Sequence, residues 1–197
     1  MTANVRPMRI PGRWREGYVL DYHTLSSTYL GDDEYGHPMY DTIRSDVGEL
    51  LYRLKYRSDA AVLAELVDTA ASFVQSWNPG VTILIPVPPT RVRPQQPVHL
   101  IADALGRKIG IPFAPSGVIR VKEIPELKNV YAYDDRLRLL EGAHRAVADV
   151  VAGQRVLLFD DLFRSGATMN AITAALYDEG GVVDVYALAL TRTRSRA

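Results

Sequence analysis

The chain has 197 residues, 47% of them apolar and 23% charged, which suffices for one domain with a buried core and argues against an intrinsically disordered chain. Its 23 basic and 23 acidic side chains cancel, so no overall field draws it to nucleic acid or anionic lipid. The lack of any cysteine excludes disulfides, thiol nucleophiles and cysteine-ligated metal centres. No window approaches the roughly 18 apolar residues of a spanning helix, and we expect a soluble, cytoplasmic protein that does not enter a membrane.

The neutral total hides a local imbalance. Seven acids (Asp21, Asp32, Asp33, Glu34, Asp41, Asp46, Glu49) face one base, Arg44, in the segment 21–49. In 81–122 six bases (Arg91, Arg93, Arg107, Lys108, Arg120, Lys122) face Asp103 alone. The bases fall near predicted strand ends, where an anionic ligand would sit, although Arg107 and Lys108 read as solvated surface charges.

From Gly17 to Tyr40 the chain is rich in Tyr, Thr and Ser without helical periodicity, which predicts short strands and turns. We therefore set 1–40 apart as a small β-rich appendage, 41–191 as the main domain and 192–197 as a basic, mobile tail. Ile43, Val47, Leu50, Leu51 and Leu54 recur on one helical face, with Asp41 or Ser45 available as cap. Ser58 can cap a second helix whose stripe from Val62 to Trp77 stops at Asn78-Pro79-Gly80. Val81 to Val87 is a continuous apolar run, the mark of a strand buried on both faces in a parallel sheet. It leads into a Pro-rich loop with Arg91 and Arg93, then a helix closed by Gly110. A short strand near 117–121 and a helical segment within 134–148 follow. Arg155 to Phe159 is a second buried strand ending at Asp160-Asp161, Asn170 to Glu179 a helix, and Val182 to Leu190 the last strand. Strands alternating with helices predict an α/β fold with a mainly parallel sheet flanked by helices.

Ligands of open α/β sheets bind at the carboxyl ends of the strands, so the unit VLLFDDLFRSGATMNA carries the chemistry. Two carboxylates, Asp160 and Asp161, end the strand. Arg164, Ser165, Gly166, Ala167 and Thr168 form a small-residue loop opening onto a helix N-terminus, where backbone N–H groups and the helix dipole favour a phosphate. Carboxylates only accept hydrogen bonds, so the pair suits sugar hydroxyls or Mg²⁺, and the whole unit suits a sugar phosphate. An ordinary strand-to-helix turn with Asp160 or Asp161 as a surface or cap residue is the bland alternative.

This order of apolar strand, acid pair and Gly-Ala-Thr loop resembles the phosphoribosyl pyrophosphate binding motif of type I phosphoribosyltransferases over Val156 to Ala171. The likeness extends to the competence protein F (ComF) family, through Leu54-Lys55-Tyr56-Arg57-Ser58-Asp59 and through Ile85-Pro86-Val87-Pro88 with its basic loop. The resemblance implies a type I phosphoribosyltransferase-like fold in which Asp160 and Asp161 hold the ribose hydroxyls and Arg164 to Thr168 wrap the 5-phosphate. It further implies that Pro88, Pro89, Thr90, Arg91 and Arg93 hold pyrophosphate, and that 120–136 is a flexible loop whose Arg120, Lys122 and Lys128 can reach it. Mg²⁺ is the implied cofactor, held by Asp160 and Asp161 through ribose or water. The implied partners are phosphoribosyl pyrophosphate and an unidentified nucleobase or amine acceptor, with a homodimer left open. Where that family carries a four-cysteine zinc module, this chain has the Tyr-rich segment 17–40; the family's Arg-Gly-Phe-Asn-Gln stretch is replaced by Arg93-Pro94-Gln95-Gln96-Pro97.

The expected reaction is transfer of the phosphoribosyl group with release of pyrophosphate. A non-catalytic, ligand-reading regulator and a competence or DNA-uptake accessory are the two alternatives, and the neutral charge argues against the second. Of the remaining polar residues, Asp21 and His23 would share one strand face, as a relay or metal pair or, more simply, a hydrogen-bonded structural histidine. Lys55, at a helix end, either caps carbonyls or reaches the pyrophosphate. Trp14 and Trp77 read as packing residues.

Overall fold

A computed structural model describes residues 1–89, 96–123 and 133–194. Two short strands open the chain, β1 (Met8–Arg9) and β2 (Glu16–Tyr22), followed by the hairpin strands β3 (Thr24–Asp32) and β4 (Pro38–Arg44). Helices α1 (Asp46–Tyr56) and α2 (Leu63–Trp77) precede β5 (Ile83–Pro86) and α3 (Pro97–Ile109). Then come β6 (Val118–Arg120), α4 (Tyr133–Leu140), β7 (His144–Ala146), α5 (Ala148–Val151), β8 (Arg155–Phe163), α6 (Ala167–Asp178) and β9 (Asp184–Arg192).

The central sheet runs β1-β2-β9-β8-β5, with β2, β9, β8 and β5 parallel and β1 antiparallel at one edge. Both faces of it are buried. Leu157 and Phe159 point to one side, with Leu188, Leu190 and the apolar stripes of α1, α2 and α3. Val156 and Leu158 point to the other, with Val185, Ala187 and the α6 residues Ile172 and Leu176. This explains why the strands read as unbroken apolar runs: a strand covered on both faces has no solvent side to alternate with. The α/β expectation, with a mainly parallel sheet flanked by helices, is what the chain adopts.

The appendage is drawn differently from the sequence reading. Residues 16–22 pair in parallel with 186–192 and belong to the main sheet, Val19 and Leu20 being fully buried. The piece that stands apart is the hairpin β3–β4, exposed along most of its length on both faces. Its second strand reaches Arg44, so Ile43 is an exposed strand residue rather than the start of a helix. Ser45, not Asp41, caps α1: its Oγ accepts from the Gly48 amide at 3.0 Å and donates to the Tyr22 carbonyl at 2.5 Å. Ser58 sits in the left-handed region at φ 53° and caps nothing; Asp59 caps a 3-10 turn, Ala60–Val62, that leads into α2. At the other end β9 continues through Arg192, and Arg194 donates to the Leu25 carbonyl, so the tail is engaged at least that far.

Both tryptophans pack. Trp14 Nε1 donates to the Ile10 carbonyl at 3.0 Å and its ring meets Phe163 edge-on. Trp77 stacks among Tyr18, Phe73 and Tyr186 and donates to Glu16 at 2.9 Å. Among the described residues no helix is long and apolar enough to cross a membrane.

Candidate functional site

The site forms at the carboxyl end of the sheet because the chain leaves β8 there and turns at once into α6. β8 extends past the acid pair to Phe163, so Asp160 and Asp161 are still strand residues and point to opposite sides. Gly166 ends the turn at φ 78°, a left-handed conformation costly for any residue with a Cβ. A Cβ there would also stand 2.9 Å from the Phe163 ring, so any other residue strains this corner.

No side chain caps α6. Ser165 Oγ accepts only a long 3.4 Å bond from the Ala167 amide. The first turn therefore presents backbone donors and the positive end of the helix dipole to the space in front of it. That space is a cavity of about 90 Å³ lined by Asp160, Leu162, Phe163, the loop Arg164 to Met169, and Arg136 from α4. All five loop residues expected to wrap a phosphate, Arg164, Ser165, Gly166, Ala167 and Thr168, line it together.

The two acids have different surroundings. Asp160 Oδ1 accepts from the Asp161 amide at 2.8 Å. Its carboxyl is pushed up to about 7, first by burial and then by the neighbouring Asp161 charge. Asp161 instead holds a cation: Lys55 Nζ donates to its Oδ2 at 2.8 Å, with both side chains mostly buried. Lys55, on the last turn of α1, is thus held at the acid pair. Around this pair lie two residues that sequence reading did not connect to the site. Thr191 Oγ1 donates to the Asp161 carbonyl at 3.0 Å and lies 3.4 Å from His23 Nδ1. Burial, then the Lys55 and Arg44 charges, lowers the His23 ring below its ordinary value, so it is neutral at pH 7. Asp21 is not its partner, being paired with Arg6 at 3.2 Å.

Pro88 and Pro89 leave the carboxyl end of β5, the strand beside β8, where Val87 N still bonds to the Phe159 carbonyl at 2.8 Å. They sit on the same edge as the acid pair. Thr90, Arg91, Arg93 and Lys128 lie outside the described residues. Arg120 does not line the cavity: it ends β6, paired in register with His144 of β7, and Lys122 follows it as an exposed residue. Among the described residues of the stretch 120–136, Arg136 reaches the cavity. Its position three residues after Tyr133 on a helix is a signal visible only once α4 is known to dock on α6.

For a divalent cation the cavity offers the hard oxygens of Asp160, while Asp161 faces the other side and holds Lys55. This suits Mg²⁺, which takes one or two carboxylates and completes its shell with substrate oxygens and water. Among the described residues no group of three or more His, Cys, Asp or Glu side chains gathers to form an all-protein cage.

Competence protein ComFC of Bacillus subtilis (strain 168) is 27% identical over 150 residues, 74% of this chain and 59% of the relative. The chain is similar to ComFC in sequence and has a type I phosphoribosyltransferase fold. Two solved structures share the fold of this chain. Glutamine phosphoribosylpyrophosphate amidotransferase from B. subtilis, complexed with ADP and GMP, aligns with a TM-score of 0.50 at 18% identity, covering 80% of this chain and 34% of that one. Adenine phosphoribosyltransferase from Trypanosoma brucei, in complex with AMP, pyrophosphate and ribose-5-phosphate, aligns with a TM-score of 0.50 at 11% identity over 96% of this chain and 87% of that one. No family model matches the chain, and its alignment spans about three fifths of ComFC.

Proposed function

We propose that the chain binds phosphoribosyl pyrophosphate across the carboxyl end of the sheet and transfers its phosphoribosyl group to a nucleobase or amine. The observation that carries this reading is the 90 Å³ cavity at the uncapped start of α6, with Asp160 at its rim. A phosphate monoester matches the backbone donors and Arg164. The sugar hydroxyls, one sugar ring away from the phosphate, match the acceptor-only Asp160 and Asp161. Pyrophosphate would then lie toward β5, at Pro88 and Pro89, with Thr90, Arg91 and Arg93 as its donors.

In this reading the C1–oxygen bond to pyrophosphate breaks, a nitrogen of the acceptor bonds to C1, and that nitrogen gives up a proton. The positive character at C1 is met by the acid pair, whose charge Lys55 holds in place on Asp161. Asp160 and Asp161 would hold Mg²⁺ through ribose or water, where it would supply charge neutralisation for the departing pyrophosphate. Positioning and charge do the work, with no protein nucleophile.

Calorimetric titration of phosphoribosyl pyrophosphate with Mg²⁺ tests the reading. Wild type should bind and Asp160→Asn/Asp161→Asn should bind at least ~10-fold more weakly, the loss of two charge-assisted contacts. Folded wild type that takes up no ligand overturns it. The relative's name, a competence protein rather than a transferase, favours a second reading in which the same cup binds the ligand and reports its level to a partner. Release of pyrophosphate with any of a panel of bases and amines decides for transfer; saturable binding without release decides for the reporter.

A further inference from the structure

Among the described residues, the wall of the phosphate cavity contains one that the strand-acid-loop signature does not supply. Arg136 comes from α4 and lines the same space as Arg164 and Asp160. The charges are decisive. Burial reduces the charge of Asp160 near pH 7, and the α6 N-terminus, about +0.5 charge, and Arg164 face a monoester of about −1.5 to −2. Arg136 brings a second guanidinium to the same cup.

The placement of Arg136 is built. Tyr133, Arg136 and Leu140 stand at i, i+3 and i+7 of α4 and so share one face. Leu140 is only 2% exposed. Tyr133 Oη accepts from Asn170 Nδ2 at 3.0 Å, and Asn170 Oδ1 in turn accepts from the Arg13 amide at 2.7 Å. Asn170 lies in the first turn of α6, one turn past Gly166, so the helix that offers its amides to the cavity also fastens the helix that carries the second arginine.

We propose that Arg136 is a ligand of the 5-phosphate, that it makes the cup selective for phosphorylated over unphosphorylated pentose, and that the Asn170–Tyr133 bond is the positioning contact that sets it there. This rests on the reading that the cup takes a phosphate. A guanidinium is suited to the task because its planar fork meets two phosphate oxygens at once, where an ammonium meets them as a point charge.

The test is calorimetry of ribose 5-phosphate, with ribose as the control, on the full chain. Arg136→Ala should weaken ribose 5-phosphate ~10–100-fold, the loss of a charge-assisted pair, and reduce the dependence of binding on salt. Arg136→Lys should recover part of the affinity. Tyr133→Phe should weaken binding by a smaller factor in wild type and by nothing further in the Arg136→Ala background, because a contact that acts through Arg136 has no effect once Arg136 is gone. Should Arg136→Ala not fold, Arg136→Gln keeps most of the stem packing and reads the same loss. Wild-type affinity in folded Arg136→Ala or Arg136→Gln overturns the assignment while leaving the phosphate cup intact. A wild type that ignores ribose 5-phosphate removes the cup itself.

Discussion

Two stretches of this chain, the β8–α6 unit and the β3–β4 hairpin, use the same local grammar of strand and tight turn and arrive at opposite kinds of structure. In β8 every residue from Val156 to Phe159 is fully buried, and the turn at Gly166 is pressed against Phe163. The hairpin leaves Tyr29, Leu30, Met39, Tyr40 and Ile43 exposed. It is held by cross-strand pairs: Tyr29 against Tyr40 at 5.7 Å between ring centres, and Ser27 against Thr42 at 3.2 Å. Its turn is organised by Asp33, whose carboxylate accepts the Tyr35 and His37 amides at 2.9 and 2.8 Å. One region is fixed by what surrounds it, the other by what it carries. The site sits on the first kind, where neighbouring layers hold a side chain to one position.

That contrast can be broken or sharpened by measurement. The largest effect belongs to Phe159→Ala, which empties a fully enclosed volume and should cost about 3–5 kcal/mol in urea unfolding. A loss under 1 kcal/mol would mean that the core around β8 collapses freely and is not a rigid support. Next comes acid. His144, buried beside α6, has its ring lowered to about 4 by burial and then by Arg120, while the unfolded chain takes up its proton near the ordinary 6.5. Stability present above 6.5 therefore drains as the pH falls through 6.5 toward 4. Between pH 7.5 and 4 wild type should lose about 3 kcal/mol more than His144→Leu. Parallel losses in the two proteins would show that His144 is not desolvated in solution.

Gly166→Ala follows, with about 1–2 kcal/mol lost to the left-handed backbone and a clash against the Phe163 ring, together with weaker uptake of ribose 5-phosphate. Full stability and full affinity would show that the corner has slack. The smallest effect is expected in the hairpin, where Tyr29→Ser removes one exposed cross-strand pair and should cost about 0.5 kcal/mol or less. A cost approaching that of Phe159→Ala would erase the distinction between the two regions.

The parts of the molecule that could be read from sequence are those that local rules govern. The apolar runs of β5 and β8, the acid pair and the Gly-containing loop lie within one strand-turn-helix unit, and their order alone places a phosphate site. What escaped was set by chain segments distant in sequence. Gly17 to Tyr22 reads as part of a Tyr-rich β appendage, yet Val19 and Leu20 are enclosed because β9 and the helices of both layers close on them. Lys55 meets Asp161 across 106 residues, and no spacing rule spans that gap. Arg136 reaches the cavity only because α4 docks on α6. In the same way Asp41 and Ser45 were equal candidates for a helix cap until the hairpin ladder claimed the residues up to Arg44.

The parallel pairing of β2 with β9 bears on how the chain acquires its shape. β9 lies between β2 and β8, so neither of those strands has its neighbour on that side until residues 184–192 have been made. A ribosome-bound chain ending before Asp184 holds a sheet with its middle missing. Closure of the sheet is then a late, long-range event of the kind that slows folding, and truncation just ahead of β9 should yield a collapsed, protease-sensitive chain rather than a smaller folded one.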